Sequence, residues 1–410
     1  MTPEHRAPGA WAVALTGAVA LAVAMGIGRF AFTPLLPIML ADGVIDLRGA
    51  GWLASANYLG YLAGALLCIF LPWFAARAAW LPPVNGIWLL RAGLIATGLL
   101  TLGMGLPLAA AWPAMRFAAG VASALVFIYT SGWCLTQLAV RGVPALGGAM
   151  FAGPGVGIIL SGLLASAMVA WQWHAASGWL MFGVLAFALT ATVWRVFGHG
   201  SAPATAASRP AAAVDPESLR LHPPAEVAWL AFAYGLAGFG YIITATFLPV
   251  IARTALPGSS WLDLFWPIFG AGVMAGALLV TRLHVGGRLH RHLAIAYFVQ
   301  AVGIVASLWS PTLAGFAIGS LLLGLPFTAI TFFAMQEVRR MRPAAAASTM
   351  GLLTAMYGIG QIVGPPLAAR LLHATGGAGP DFSLSLELAA GALLLGAAVY
   401  LWMERAFARR

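Results

Sequence analysis

The sequence has very little charge and no lysine at all. Charged residues occupy 8% of its 410 positions, whereas hydrophobic residues occupy 61%. A soluble domain carries roughly 25% charged residues, so this chain cannot cover itself with a surface that water solvates. A bilayer-spanning helix needs about 20 apolar residues, and apolar runs of that length recur from end to end. These features together predict a membrane protein.

Other absences exclude several kinds of chemistry. No Gly-Lys-Ser/Thr loop exists to bind phosphate, and no hydrolase or redox constellation is present, so we expect neither an enzyme nor a cofactor. The two cysteines, Cys68 and Cys134, lie inside apolar runs and are interpreted as packing residues. His284, His290 and His292 lie among arginines in one loop, which argues against a metal site. The net charge of +10 forms no basic stripe with exposed aromatics, so nucleic acid is not an expected partner.

Breaks in hydropathy divide the chain into twelve spans, six on either side of a polar stretch. The predicted spans are 11–40, 50–75, 86–106, 111–139, 143–171 and 177–197, then 226–252, 262–283, 292–309, 312–337, 344–372 and 383–404. The stretch 198–225 is rich in Ala, Pro and Ser and cannot bury a core, so it is interpreted as a linker. This divides the protein into a bundle at 1–197, the linker at 198–225 and a bundle at 226–410.

The arginines favour one orientation in the membrane. Most of them fall in the loops that share a side with both termini, whereas the opposite loops hold only Arg48, Arg253 and Arg370 together with four aspartates. Because cytoplasmic loops carry an excess of basic residues, both termini and the linker are predicted to be cytoplasmic. In a bacterial cell, this corresponds to a multi-pass protein of the inner membrane.

The two bundles repeat each other. Gly26, Gly28 and Pro37 recur as Gly238, Gly240 and Pro249, each 212 positions further on. The same offset relates Gly60–Leu67 to Gly272–Leu279, and Gly153-Pro154 recurs as Gly364-Pro365 at an offset of 211. Since each copy holds six spans, an even number, both copies have the same orientation and form a parallel repeat. The expected fold is all-α, with twelve transmembrane helices in two parallel six-helix repeats.

A parallel six-plus-six repeat with a central linker resembles the major facilitator superfamily. The segments Gly26–Pro37 and Gly51–Tyr61 are similar to those of its bacterial YbfB/YjiJ-type subfamily. Arg116-Phe-Ala-Ala-Gly120 resembles the arginine-glycine motif of the fourth helix, and Gly153–Gly157 resembles the glycine-proline motif associated with antiporters. The loop Phe74–Pro83 lacks the aspartate usual in this superfamily, which leaves the usual charge-relay gate in question.

Four helices carry glycines spaced four residues apart, a spacing that lets helices approach closely in lipid. These are Gly60/Gly64, Gly153/Gly157, Gly272/Gly276 and Gly360/Gly364. They fall on helices two, five, eight and eleven, which pair across the two halves in the resembled fold. We therefore expect these glycines, with Pro154 and Pro365, to lie between the halves and act in gating; ordinary tight packing is the alternative.

Two arginines within the apolar spans are candidates for a binding role. Arg29 is deep in the first, where an arginine costs about 2.5–3.5 kcal/mol, and its repeat partner is Tyr241. It is interpreted as a binding residue for an anionic or polar group, or alternatively as a structural residue bonded to carbonyls near Pro34 and Pro37. Arg116 lies nearer a helix end and is open to either reading.

Further polar side chains in the spans are candidates for a moderately polar, aromatic cavity. The candidate substrate-binding set comprises Arg29, Arg116, Asn57, Tyr61, Tyr129, Tyr241, Gln336, Tyr357 and Gln361. Tyr58 and Thr244 are further polar groups, which are more often helix-packing residues than ligands. Glu337 is interpreted as a surface partner of the neighbouring arginines. No carboxylate is expected in mid-membrane, so proton coupling has no evident residue.

These features favour a secondary transporter that moves a small organic solute by alternating access. Arg29 favours an anionic solute. The alternative within transport is an efflux carrier for amphipathic compounds, which the glycine-proline motif and the aromatic content suggest. A membrane enzyme or receptor is disfavoured by the missing catalytic groups. The expected partners are the solute and the bilayer, and we expect a monomer.

Overall fold

Helices make up nearly all of the chain that the computed structural model describes. That part comprises residues 8–77, 85–198, 223–259, 261–283, 289–343, 345–374 and 381–407. No residue in these ranges forms a strand. Most of the predicted linker, most of the loop at Phe74–Pro83 and His284 lie outside them.

Twelve helical segments are long and apolar enough to cross a membrane. We number them α1 Ala10–Ala41, α2 Leu47–Leu71, α3 Gly86–Gly103, α4 Ala109–Val140, α5 Gly147–Ala170, α6 Ala175–Val193, α7 Pro224–Ala255, α8 Leu262–Val280, α9 Leu289–Trp309, α10 Leu313–Met341, α11 Ser348–Leu372 and α12 Ser383–Ala406. Each overlaps one predicted span. The prediction of an all-α protein with twelve spans is confirmed.

Local sequence explains where several helices begin. The Asn85 side chain accepts a hydrogen bond from the amide of Trp88 and caps α3. The Thr312 hydroxyl accepts one from the amide of Gly315, 3.1 Å away, and caps α10 in the same way. α7 begins with Pro224, whose missing N–H would be unpaired at that position in any case.

The six helices of each set pack in the same arrangement. α2 packs on α4, α3 on α6 and α1 on α5 in the first set, which we call the N-half. In the second set, the C-half, α8 packs on α10, α9 on α12 and α7 on α11. Each pair has its counterpart six helices further on, so the sequence repeat is also a repeat in space.

Three pairs of helices make the most extensive contacts between the halves among the described residues. α2 packs on α11 and α5 packs on α8, the pairs that the family resemblance implied. The third contact joins α7 to only the second half of α1, Phe32–Ala41, because Ala10–Leu21 packs on α4, α5 and α6 instead. We call the side where α1 begins and α12 ends the terminal side, and the opposite side the far side. The α1–α7 contact is therefore confined to the far side.

Candidate functional site

The first helix is irregular just before Arg29. Residues Ala22–Ile27 form a π-helical turn, in which the amide of Gly28 bonds to the carbonyl of Val23, five residues back, at 2.9 Å. Gly26 lies against the backbone of Gly157 on α5, where a side chain on either residue would overlap the other helix. A π turn leaves carbonyls without their usual partners, and such turns are frequent at functional sites.

Side chains of α4 bond to carbonyls in the π turn and in the non-helical break at 28–31 that follows it. The Ser123 hydroxyl donates to the carbonyl of Ala24 at 2.8 Å. Arg116 donates from its two terminal nitrogens to the carbonyls of Gly28 and Arg29, each at 3.2 Å. The structure therefore places Arg116 against the backbone of α1, which supports the structural reading of this residue.

Asn57 belongs to the same framework. Its Nδ2 donates to the carbonyl of Arg116 at 2.9 Å, and its side chain is fully buried. It therefore links α2 to α4 at the level of Arg29. Asn57 and Arg116 belong to the predicted binding set. Their described hydrogen bonds link α2 to α4 and α4 to α1, and a contact with substrate remains a prediction.

Arg29 itself extends from this framework toward the C-half. Its side chain is 3% exposed, and Nη2 donates to Oε1 of Gln361 on α11 at 2.7 Å. The guanidinium lies 4.2 Å from the ring centre of Tyr61, 5.0 Å from that of Tyr58 and 5.6 Å from that of Phe30. Within the described ranges no carboxylate lies at ion-pair distance from Arg29, and its Nε has no hydrogen-bond partner.

Gln361 connects Arg29 to an aromatic cluster in the C-half. Its Nε2 donates to the hydroxyl of Tyr241. The ring of Tyr241 stacks on Tyr357 at 5.8 Å and meets Phe327 edge-on at 5.0 Å. Arg29 and Tyr241, which occupy equivalent positions of the repeat, thus face each other across the halves and bind the same amide side chain.

The structure brings together five of the nine predicted binding residues: Arg29, Tyr61, Tyr241, Tyr357 and Gln361. Tyr129 is buried on α4, and its hydroxyl has no partner among the described residues. Gln336 on α10 is half-buried and makes no hydrogen bond with the described residues. The binding roles of these side chains remain predictions.

Sequence reasoning did not select the aromatic residues Phe30 and Phe327, or Tyr58 as a binding residue. The spacing of Tyr58 and Tyr61 was a usable signal, because residues three apart share a helix face. Tyr58 contributes in two ways. Its ring lies against Arg29, and its hydroxyl lies 3.1 Å from that of Thr246 on α7.

The far side of Arg29 is closed by contacts between the halves. Thr33 donates to the carbonyl of Ala245 at 3.2 Å, and Ser55 donates to that of Ile362 at 2.6 Å. Phe30 meets Trp266 of α8 edge-on at 6.1 Å. On the terminal side, by contrast, Tyr61, Phe327 and Tyr357 are only half-buried. The described contacts therefore close the far side of Arg29 more completely than its terminal side.

The glycine pairs do not lie between the halves, so that part of the gating prediction is wrong. Gly60 and Gly64 pack on α4, and Gly153 and Gly157 pack on α1, all within the N-half. Their counterparts do the same within the C-half: Gly272 and Gly276 pack on α10, and Gly360 and Gly364 pack on α7. The pairs therefore bring helices together within each bundle at repeat-equivalent contacts.

Other small residues occupy the contacts between the halves. A Cβ atom on Gly155 would lie 2.7 Å from the carbonyl oxygen of Gly270 on α8, and one on Gly51 would lie 3.0 Å from the carbonyl oxygen of Pro365 on α11. Neither Gly155 nor Gly51 belongs to the repeated pairs. Pro365, which belongs to the predicted gating set, does lie at a contact between the halves.

We expect alanine at Gly60 or Gly276 to lower the melting temperature of the purified protein. The added methyl would overlap the carbonyl of Phe117 or of Leu325, respectively, and overpacking of this kind costs about 1–3 kcal/mol. Gly132→Ala is the control, since no atom lies within 4 Å of its Cβ position. If Gly60→Ala and Gly276→Ala melted at the wild-type temperature, the helix contacts at these glycines would not be tightly packed.

A second polar cluster lies at the terminal-side end of the C-half. Glu337 is fully buried, so its interpretation as a surface residue is wrong. It accepts a hydrogen bond from Arg340 at 2.6 Å and lies 3.6 Å from Nε2 of His290. Ligand atoms of Glu226, His290 and Glu337 all lie within 4.8 Å of one another. Arg340 already neutralises Glu337, which favours an ion-pair network that joins α7, α9 and α10.

Comparison with known proteins identifies counterparts of this architecture. Residues 21–401 match the family described as "Uncharacterised MFS-type transporter YbfB". A chloramphenicol resistance protein of Streptomyces lividans is 29% identical over 383 residues, which cover 90% of this chain and 92% of that protein.

Solved structures share the fold. The nucleoside transporter NupG is 15% identical, with a TM-score of 0.68 over 96% of this chain and 98% of that one. A D-xylose-proton symporter is 12% identical, with a TM-score of 0.73 over 95% of this chain and 97% of that one. At these identities the likeness establishes the fold alone.

Proposed function

The chain belongs to the family of MFS-type transporters of the YbfB kind, and on that premise we propose that it is a secondary transporter of a small organic anion. The solute binds at Arg29 between the two halves and crosses the membrane by alternating access. In this proposal, Tyr61, Tyr241, Tyr357 and Gln361 complete the binding site.

The observation that carries the proposal is a buried cation that has no counter-ion among the described residues. The Arg29 guanidinium is 3% exposed, bonded to one neutral amide and flanked by aromatic rings. A buried charge without a partner is costly in free energy. A guanidinium carries five N–H donors in a planar fork that suits a carboxylate or phosphate. An anionic solute therefore supplies what the protein around Arg29 lacks.

Efflux of amphipathic compounds is the second candidate function. It is supported by the similarity to the chloramphenicol resistance protein of Streptomyces lividans and by the aromatic cluster around Tyr241 and Tyr357. On this reading, aromatic stacking supplies most of the affinity and Arg29 contributes a hydrogen bond. The two functions differ in whether binding depends on the negative charge of the solute.

The arginine bias supports a cytoplasmic location for both termini in a bacterial inner membrane. The terminal side of the site is then the cytoplasmic side, and the conformation described above is inward-facing. Reporter fusions to each terminus test this orientation. We further propose that the protein acts as a monomer and without enzymatic activity.

A thermal-shift screen of the purified protein tests the proposed substrate class. Small carboxylates and organic phosphates should raise the melting temperature, because a ligand that binds only the folded state stabilises it. Neutral compounds of the same shape, such as the methyl esters of those carboxylates, serve as matched controls. Equal shifts from an acid and its ester would favour the efflux reading over anion transport.

A further inference from the structure

A groove on the lipid-facing side of the N-half lies outside the proposed transport site. It has a volume of about 310 Å³ and runs between α3 and α6 toward the terminal side. Its lining residues are Ile95, Phe187, Thr190, Ala191, Trp194 and Arg195. Most of the lining is apolar, and its one charged residue, Arg195, lies at the end of the groove.

A second guanidinium lies at the same end. Arg91 donates from Nη2 to the carbonyl of Trp194 at 2.8 Å, and its guanidinium lies 4.8 Å from the ring centre of Trp194. Among the described residues no carboxylate is at ion-pair distance from Arg91, and its buried Nε has no hydrogen-bond partner. Thr190, which is 4% exposed and lines the groove, has an equally unpartnered hydroxyl.

The equivalent helices of the C-half provide a comparison. A groove of about 380 Å³ along α9 and α12 is lined by apolar residues and Ser310, with no charged residue among them. An apolar groove without charged residues can take the acyl chain of any lipid and does not select for a headgroup. The groove at α3 and α6 differs from it in combining an apolar floor with two arginines at one end.

We propose that this groove binds an anionic phospholipid, with an acyl chain along Ile95 and Phe187 and the phosphate at Arg91 and Arg195. Basic pockets between transmembrane helices suit anionic headgroups, and tryptophans such as Trp194 favour the level of the headgroups. Thr190 supplies a further hydrogen-bond donor for the headgroup or glycerol region.

Native mass spectrometry of the purified protein with added lipids tests this assignment. Phosphatidylglycerol should bind more tightly than phosphatidylcholine with the same acyl chains. Arg195→Gln, at an exposed position, should weaken the binding of phosphatidylglycerol on the order of fivefold, because each arginine near a membrane surface contributes about a factor of five. The double variant with Arg91→Gln should weaken this binding on the order of 25-fold. Arg339→Gln, also exposed on the terminal side, is the matched control and should bind as wild type.

Two further measurements separate the lipid from other occupants. Ala191→Trp fills the groove and leaves both arginines in place, so it should also weaken the binding of phosphatidylglycerol. Inorganic phosphate should not displace the lipid. Equal binding of the two lipids, unchanged binding in the double variant, or full competition by phosphate would each overturn the proposal. The linker at 198–225 carries two acidic residues, Asp215 and Glu217, and is the alternative occupant. If lipid bound only after both were replaced by neutral residues, the groove would belong to the linker and the proposal would be overturned.

Discussion

Arg29→Ala should abolish the binding of an anionic solute without lowering the melting temperature of the ligand-free protein. The substitution removes a buried cation that has no carboxylate partner in the described structure, so the folded state loses an unfavourable charge along with one hydrogen bond to Gln361. Truncating a buried charged partner of a ligand costs about 2–5 kcal/mol, which corresponds to a loss of affinity of roughly thirtyfold or more.

Melting temperature and ligand affinity should be measured on the same samples. Arg29→Lys keeps the charge and loses the planar fork, so it should bind the anion more weakly than wild type and more tightly than Arg29→Ala. A destabilised Arg29→Ala whose folded fraction bound the anion normally would end the anion hypothesis, because Arg29 would then serve only to stabilise the helices.

Arg116→Ala is the matched comparison, since Arg116 is another buried arginine at the same level of the membrane. It should lower the melting temperature, because the carbonyls of Gly28 and Arg29 lose their donors. A buried polar group left without a partner costs about 1–3 kcal/mol. The two alanine variants should therefore differ in effect: Arg29→Ala should lose ligand affinity, and Arg116→Ala should lose stability.

A disulfide between positions 51 and 369 should stop transport completely and reversibly. A Cβ atom on Gly51 would lie 3.3 Å from that of Ala369 on α11, close to the 3.5–4.5 Å that disulfides require. This bond would join the halves on the far side, where alternating access requires them to separate. Uptake into vesicles or proteoliposomes should be lost on oxidation of the Gly51→Cys/Ala369→Cys variant and restored by a reductant.

The native thiols should be removed for this experiment by replacing Cys68 and Cys134 with alanine. The two single-cysteine variants control for bulk, because Gly51 lies close to the backbone of Pro365. They should transport whether oxidised or reduced. If the oxidised, cross-linked protein transported as fast as the reduced protein, the far-side contact between α2 and α11 would not be a gate.

Hydropathy was sufficient to predict the twelve spans, because a lipid environment imposes about the same length on every helix. The sequence predicted less directly that the side chains of Arg29 and Tyr241 would come together. The repeat made the two positions equivalent, but only the packed structure shows that Gln361 bonds to both. The contacts of Arg116 were not predictable, since the break in α1 at 28–31, where its partner carbonyls lie, leaves no clear periodic signal in the sequence.

The glycine pairs show a different limit. A four-residue spacing of glycines predicts that some helix packs closely there, and this is correct at Gly60 and Gly276. It does not identify which helix, because both faces of an apolar span carry small residues. The prediction that Glu337 lies at the surface was wrong for a similar reason. Its sequence neighbours are exposed arginines, but its burial depends on α7 and α9, which are distant in the chain.

If the solute binds at Arg29 as proposed, the pairing of Arg29 with Tyr241 also governs its pose. A cavity between two identical copies would accept a ligand in two poses related by the axis between them, and each pose would bind equally well. Here one copy presents a cation and the other a phenol to the shared amide of Gln361. In the proposed binding mode, a solute with one charged end therefore has a single preferred pose, because only the N-half offers its charged group a guanidinium.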